Sequence, residues 1–196
     1  MQERDALIIV DVQNDFCPGG SLGVEDGDRI VPVLNRYIER FAGASLPIIA
    51  TRDWHPQKTN HFKSYGGVWP AHCIQGTSGA EFHRDLRLRR DGIVVSKGTD
   101  ADEDSYSAFQ GKDDSGKPLA ELLRGLGVTR IFVGGLATDY CVKQTALDGL
   151  RRGFKVVVLD DAIRGVDLQP NDSANAVAEV RAAGAALIAS IDELSI

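Results

Sequence analysis

With 196 residues and 22 Lys and Arg against 28 Asp and Glu, the chain can bury one substantial core, and its net charge of −6 does not suit nucleic acid or an anionic membrane as a main partner. Its three cysteines, Cys17, Cys73 and Cys141, are an odd number without CxxC spacing, which excludes a secreted disulfide scaffold and a zinc knuckle. No apolar run reaches the roughly 18 residues of a membrane span, and Met1-Gln-Glu-Arg-Asp5 lacks the basic and apolar parts of a signal peptide, so a soluble, cytoplasmic protein is expected.

In chain order, Ala6-Leu-Ile-Ile-Val10 is a near-continuous apolar run, the pattern of a parallel strand covered on both faces, and it ends at Asp11. A Gly- and Asp-rich loop over 14–28 leads to a helix with Asp28 as its cap, Pro32 in its first turn and Ile30, Leu34, Tyr37, Ile38 and Phe41 on one stripe. The second strand, Leu46–Thr51, runs into Arg52-Asp-Trp-His55. The segment from Pro56 to Arg90 has no clear periodicity and is too long for an ordinary connection, which marks it as functional. Within it, Arg84 to Arg90 alternates Arg with Asp85, Leu86 and Leu88, the composition of a solvated face. Gly92–Ser96 is the third strand, ending at Lys97, and a short helix follows near Leu119–Leu126. Phe154–Leu159 is the fifth strand, 172–184 a helix, and Ala185–Ile191 the sixth strand. Strands alternating with helices predict a single-domain, three-layer α/β/α fold over 1–196 with a six-stranded parallel sheet in Rossmann-like order.

The fourth strand and its helix lie in Ile131–Leu150. An apolar run breaks at Gly134 and Gly135 and resumes with Val142, Ala146, Leu147 and Leu150 at helical spacing. Thr138 suits an N-cap, which would place Cys141 at the third helical position, where the helix dipole favours the thiolate. A buried cysteine acting as a small core hydrophobe is the plainer alternative.

Ligands of open α/β sheets bind outside the carboxyl ends of the strands. Here those ends carry Asp11, Asp53 with His55, Lys97 and, just past a turn, Cys141. Singly, each is what any strand emerging into water shows; together they are not. Asp53, His55, His61 and His72 offer carboxylate and imidazole ligands suited to zinc, iron or manganese, with Asp53 and His55 on one side of an extended chain. Asp11, Lys97 and Cys141 suit nucleophilic catalysis, the carboxylate taking the thiol proton and the ammonium favouring the thiolate. Burial would raise the Asp11 pKa and Lys97 would lower it, and the sequence leaves the outcome open.

Five stretches then carry a resemblance: Asp11-Val-Gln-Asn-Asp-Phe-Cys-Pro-Gly-Gly20, Thr51-Arg-Asp-Trp-His-Pro56, Trp69-Pro-Ala-His-Cys73, Ser96-Lys-Gly98 and Gly135-Leu-Ala-Thr-Asp-Tyr-Cys-Val142. In this order they resemble the motif set of the nicotinamidases of the isochorismatase-like cysteine hydrolases, from about Asp5 to Ile191. The resemblance implies hydrolysis of nicotinamide, and of pyrazinamide as an analogue, in NAD salvage through a thioester on Cys141. Asp11 would be the base and then the acid, and Lys97 would hold the pair. It implies one divalent metal, zinc before iron or manganese, on Asp53, His55 and His72, with His61 as a fourth ligand found in only part of the family. Ala137 and Cys141 would supply oxyanion-hole N–H groups, with a cis peptide at Leu136–Ala137, and Phe16, Trp69 and Tyr106 would line the substrate pocket in a segment spanning about 52–90 and its surroundings. Cys17 and Cys73 read as structural. Another small-amide or carbamoyl/ureido hydrolase of the superfamily, or a catalytically silent metal-binding relative, are the alternatives. No nucleic acid or membrane partner is implied, and self-association is left open.

Overall fold

The structure, a computed structural model, describes residues 4–89 and 92–196. Residues 1–3, which begin the stretch read for a signal peptide, and Arg90, the predicted end of the basic cluster, lie outside the described residues.

The chain runs β1 (Asp5–Val10), α1 (Val31–Gly43), β2 (Ile48–Asp53), β3 (Ile93–Lys97), β4 (Lys112–Asp113), α2 (Leu119–Gly125), β5 (Arg130–Leu136), α3 (Lys143–Arg151), β6 (Lys155–Arg164), α4 (Asp172–Ala182) and β7 (Ala186–Ile188). The sheet has the order β4-β3-β2-β1-β5-β6-β7. All neighbours pair in parallel except β4, which is antiparallel to β3 through Val95↔Asp113 and Ser96↔Lys112. The predicted α/β architecture holds, but the sheet has seven strands rather than six and is not purely parallel. β4 is two residues long, too short to leave any alternation in the sequence.

The apolar run in β1 is explained by where its side chains go. Leu7 and Ile9 pack with α1 residues Leu34, Tyr37, Ile38 and Phe41 on one face. Ala6, Ile8 and Val10 pack on the other with Leu123 of α2, Ala146 of α3 and Val180 of α4. A strand buried on both faces has no polar side to show, so period-two alternation vanishes.

Two expectations need correction. Asp28 does not cap α1: a single turn of 3₁₀ helix over Gly27–Ile30 leads in, α1 starts at Val31 with Pro32 in its first turn, and its N-terminus has no side-chain cap. The fifth strand of the prediction extends past Leu159 through two aspartates to Arg164, because β6 shifts register against β5 between Val133 and Gly135 and pairs again at Ile163 and Arg164. No helix among the described residues is long and apolar enough to cross a membrane.

From β1 the chain builds outward through β2, β3 and β4, then returns to β5 on the other flank of β1. The carboxyl ends of β1 and β5 therefore border a switch point, where such sheets open a crevice.

Candidate active site

The elbow after β5 depends on a missing side chain. Gly135 has φ +129°, and a Cβ there would fall 2.0 Å from the Val10 carbonyl oxygen, so only glycine lets β5 pass β1 at this point. The Leu136–Ala137 peptide that follows is cis. The next residues form a π-helical turn, Thr138–Val142, before α3 begins. The Ala137 carbonyl accepts the Tyr140 and Val142 N–H groups, both at 3.1 Å. Thr138 thus makes no side-chain cap and Cys141 sits inside the π turn, not at the third position of an α-helix.

Asp11 and Lys97 come to Cys141 from the ends of β1 and β3. Lys97 Nζ lies 2.8 Å from Asp11 Oδ2 and 3.5 Å from Cys141 Sγ, and it also donates to Asp53 Oδ1. Carboxylate oxygens of Asp11 and Asp53 lie within 4.8 Å of the sulfur and of one another. Thr51 Oγ1 donates to Asp11 Oδ1 at 2.6 Å. Among the described residues Asp11 Oδ2 has no aligned hydrogen-bond donor, its contact with Lys97 being an ion pair. Asp11 itself has φ +50°, an unusual backbone setting for a non-glycine residue and one often found at working sites.

Burial dominates the electrostatics. It raises the Asp11 pKa above the usual carboxylate range, although Lys97 pulls the other way. It also pushes the Cys141 thiol well up against the opposing pull of Lys97, so the expectation of an easily ionised thiol fails. The sulfur has lost most of its hydration, and the dipole of a short π turn does not offset that. Burial alone would discharge Lys97, but Asp11 and Asp53 keep its ammonium charged. Asp53 goes the other way: burial would raise it, yet Lys97 and His55 hold it well below the usual range. The resting cluster is a thiol beside a carboxylate of heightened proton affinity, anchored by an ammonium.

Asp53 also faces the histidines. Its Oδ2 lies 3.6 Å from His55 Nε2 and 3.8 Å from His72 Nε2. His55, His61 and His72 are all buried, each with a ligand nitrogen within 4.8 Å of those of the other two. His55 Nδ1–H donates to the Gly98 carbonyl at 3.0 Å and His72 Nδ1–H to the Pro70 carbonyl at 2.8 Å, while His61 Nδ1 pairs with Asp104. A Cβ on Gly98 would lie 2.4 Å from His55 Cε1, so a glycine is needed where the chain crosses that ring. With every Nδ1 engaged, the tautomers leave Nε2 free, and buried His55 Nε2 has no hydrogen-bond partner among the described residues. Burial lowers the His72 pKa to about 4 and that of His61 as well, keeping the rings in the neutral form that binds metals. An orphaned buried nitrogen, oriented imidazoles and an ionised carboxylate are what a metal ion requires, and the residues fit one.

Over these groups lies a small cavity, with about 340 Å³ of empty space when the part open to solvent is included. Phe16, Trp69, Tyr106 and Tyr140 give it aromatic walls, and Ala137 and Cys141 reach it from the elbow. Trp69 Nε1–H donates to Tyr106 Oη at 2.9 Å, and the Trp69 ring stands edge-on to Tyr140 at 4.9 Å. Cys17 and Cys73 are free and buried, outside this lining.

The isochorismatase domain family matches residues 5–192. The chain belongs to that family. Among isochorismatase-family relatives, the nicotinamidase of Escherichia coli strain K12 is 43% identical over 201 residues, covering 93% of each chain. The pyrazinamidase of Pyrococcus horikoshii in complex with zinc has a TM-score of 0.87 at 45% identity, covering 94% of this chain and 98% of that one. The L. infantum protein PnC1 in complex with nicotinate has a TM-score of 0.83 at 40% identity, covering 94% and 92%. The resemblance carried by the five motifs is thereby borne out.

Beyond the residues singled out from sequence, this isochorismatase-family site includes Tyr140, Leu22 and Val166 in the lining, Asp104 on His61 and Thr51 on Asp11. Tyr140 adjoins Cys141 within a quoted motif and could have been found there. Leu22, Val166 and Asp104 lie in loops, and the approach of the first two to the cavity and of the third to His61 leaves no local signal.

Proposed function

We propose that the chain is a nicotinamidase, hydrolysing nicotinamide to nicotinate and ammonia in NAD salvage and accepting pyrazinamide as an analogue. What supports this most is the convergence of Asp11 and Lys97 on Cys141, whose side chain lines an aromatic-walled cavity together with Asp53, His61 and His72. The whole chain acts as one hydrolase domain, with the segment at about 52–90 supplying metal and substrate contacts. In this reading Cys141 Sγ passes its proton to Asp11 and attacks the carboxamide carbon, and the C=O π pair moves to oxygen. The backbone N–H groups of Ala137 and Cys141 receive that charge. Asp11 returns the proton to the amide nitrogen, the C–N bond breaks, and ammonia leaves a thioester on Cys141. Water then gives a proton to Asp11 as its oxygen attacks the thioester, the C–S bond breaks, and Asp11 reprotonates the sulfur as the acid departs and releases its proton to solvent as nicotinate. The raised proton affinity of Asp11 suits it to both transfers. Lys97 keeps Asp11 in place and balances its charge.

Asp53, His55, His61 and His72 would hold one divalent ion, zinc before iron or manganese, which would bind the pyridine nitrogen and so fix the ring. Phe16, Trp69, Tyr106 and Tyr140 enclose the flat faces of the heterocycle and exclude water.

Ammonia release from nicotinamide by the purified protein tests the reading. Cys141→Ala is expected to cut turnover by about 10⁴ or more, as loss of a covalent nucleophile does. Turnover surviving that change would remove the thioester, and turnover confined to carbamoyl or ureido compounds would move the chain to the other amidases of its family.

A further inference from the structure

Asp53 carries two duties on one side chain: Oδ1 takes Lys97 and Oδ2 faces the His55 and His72 nitrogens. Its backbone placement therefore decides both the cation cluster and the imidazole cluster. On one flank β2 is paired to its end, with Asp53↔Lys97 in register and the Trp54 N–H donating to the Lys97 carbonyl. On the other flank β1 has already ended: the last paired residues are Ile9↔Ala50, and the Asp11 N–H reaches only as far as the Thr51 carbonyl. The amide and carbonyl of Asp53 face that gap.

The side chain of Gln13 fills it. Fully buried, it accepts the Asp53 N–H on Oε1 at 2.8 Å and donates from Nε2 to the Asp53 carbonyl at 2.8 Å and to the Ala80 carbonyl at 2.9 Å. Both Nε2 protons are used, and a primary amide stands in for one residue of a missing strand. Its neutrality matters, because a carboxylate there would add a further buried acid beside Asp11 and Asp53 and compete for Lys97.

We propose that Gln13 is a positioning residue that sets the metal affinity of Asp53 and, through Asp53, the aim of Lys97 at Asp11 and Cys141. This rests on the reading of the site as a metal-dependent amidase. A merely structural role is distinguished by Asn35, another buried amide bound to backbone, which donates to the Asp85 carbonyl at 2.9 Å and accepts the Arg87 N–H at 2.8 Å, both outside the site.

The experiment compares wild type, Gln13→Met, the milder Gln13→Asn and Asn35→Leu. It measures cobalt(II) affinity by chelator competition, the cobalt d–d spectrum, the thermal midpoint, and kcat and KM for nicotinamide with zinc saturating. Gln13→Met is expected to weaken cobalt binding about 10- to 100-fold, shift the d–d band, and lower kcat more than it raises KM even with the metal site full. Asn35→Leu is expected to lower the thermal midpoint while affinity and spectrum stay put. If Gln13→Met does not fold, Gln13→Asn, a neutral amide one methylene too short to reach both groups of Asp53, is expected to show the same direction. Unchanged affinity and spectrum in the Gln13 variants, or a loss matched by Asn35→Leu, would overturn the inference and leave the reading of the site standing. Wild-type protein that takes up no cobalt would overturn that reading and the inference with it.

Discussion

Lys97 is the residue on which the site balances. Fully buried, it faces Asp11, Asp53 and a thiol that burial keeps protonated, so one ammonium offsets two carboxylates in a region closed to water. Removing one partner of a buried ionic cluster leaves the remaining charge uncompensated, at a cost of about 3–5 kcal/mol. Lys97→Met should therefore lose stability of that order in denaturant melts and also lower turnover about 10³-fold or more. Full activity with unchanged stability would show that the ammonium neither holds Asp11 nor balances it. Arginine would not restore the wild-type state, because a planar fork cannot occupy the point where Asp11, Asp53 and Sγ meet.

Among the elements, α1 shows how a core helix is located by one polar contact. Its stripe of Leu34, Tyr37, Ile38 and Phe41 packs against β1, a seam that is greasy and tolerant of sliding. Tyr37 Oη donates to Asp161 Oδ1 of β6 at 2.9 Å, which fixes the helix along its axis. Burial, with Asp161 beside it, raises the Tyr37 pKa above its usual value near 10. A proton held more tightly in the folded state gives stability that is complete below the unfolded pKa and is lost as pH rises above it, at up to about 1.4 kcal/mol per pH unit. Tyr37→Phe is accordingly expected to be about 1–2 kcal/mol less stable at neutral pH and to decline less steeply above about pH 10 than wild type. Parallel pH–stability curves for the two proteins would refute the assignment.

For the molecule as a whole, the imidazole cluster joins regions that the sheet alone does not. His55 follows β2, while His61 and His72 belong to the long connection, and the stretch after β3 closes over it by binding His55 through Gly98 and His61 through Asp104. A metal there binds the folded state alone, so at a free concentration about 1,000-fold above Kd it adds about 4 kcal/mol. For a chain of this size that amounts to roughly 10 °C in thermal midpoint. Dialysis against a chelator should lower the midpoint by that order and abolish turnover, and zinc should restore both. Identical melting before and after chelation, in protein shown to have lost its metal, would mean that the ion contributes nothing to the fold.

The sequence by itself determined the sheet's inner strands and what stands at their ends. Burial on both faces forces uninterrupted apolar runs, and emergence into the crevice forces the change to Asp11, Asp53, Lys97 and the Cys141 elbow. Features shorter than a period, or made by residues distant in the chain, lay beyond it: the two-residue β4, the π turn in place of a capped helix at Thr138, the approach of Leu22 and Val166 to the cavity and that of Asp104 to His61. The direction of the Asp11 and Cys141 shifts belonged to the tertiary structure as well. A pKa follows from the balance of lost water against neighbouring charge, and that balance exists only once Lys97 and the carboxylates have been folded together away from solvent.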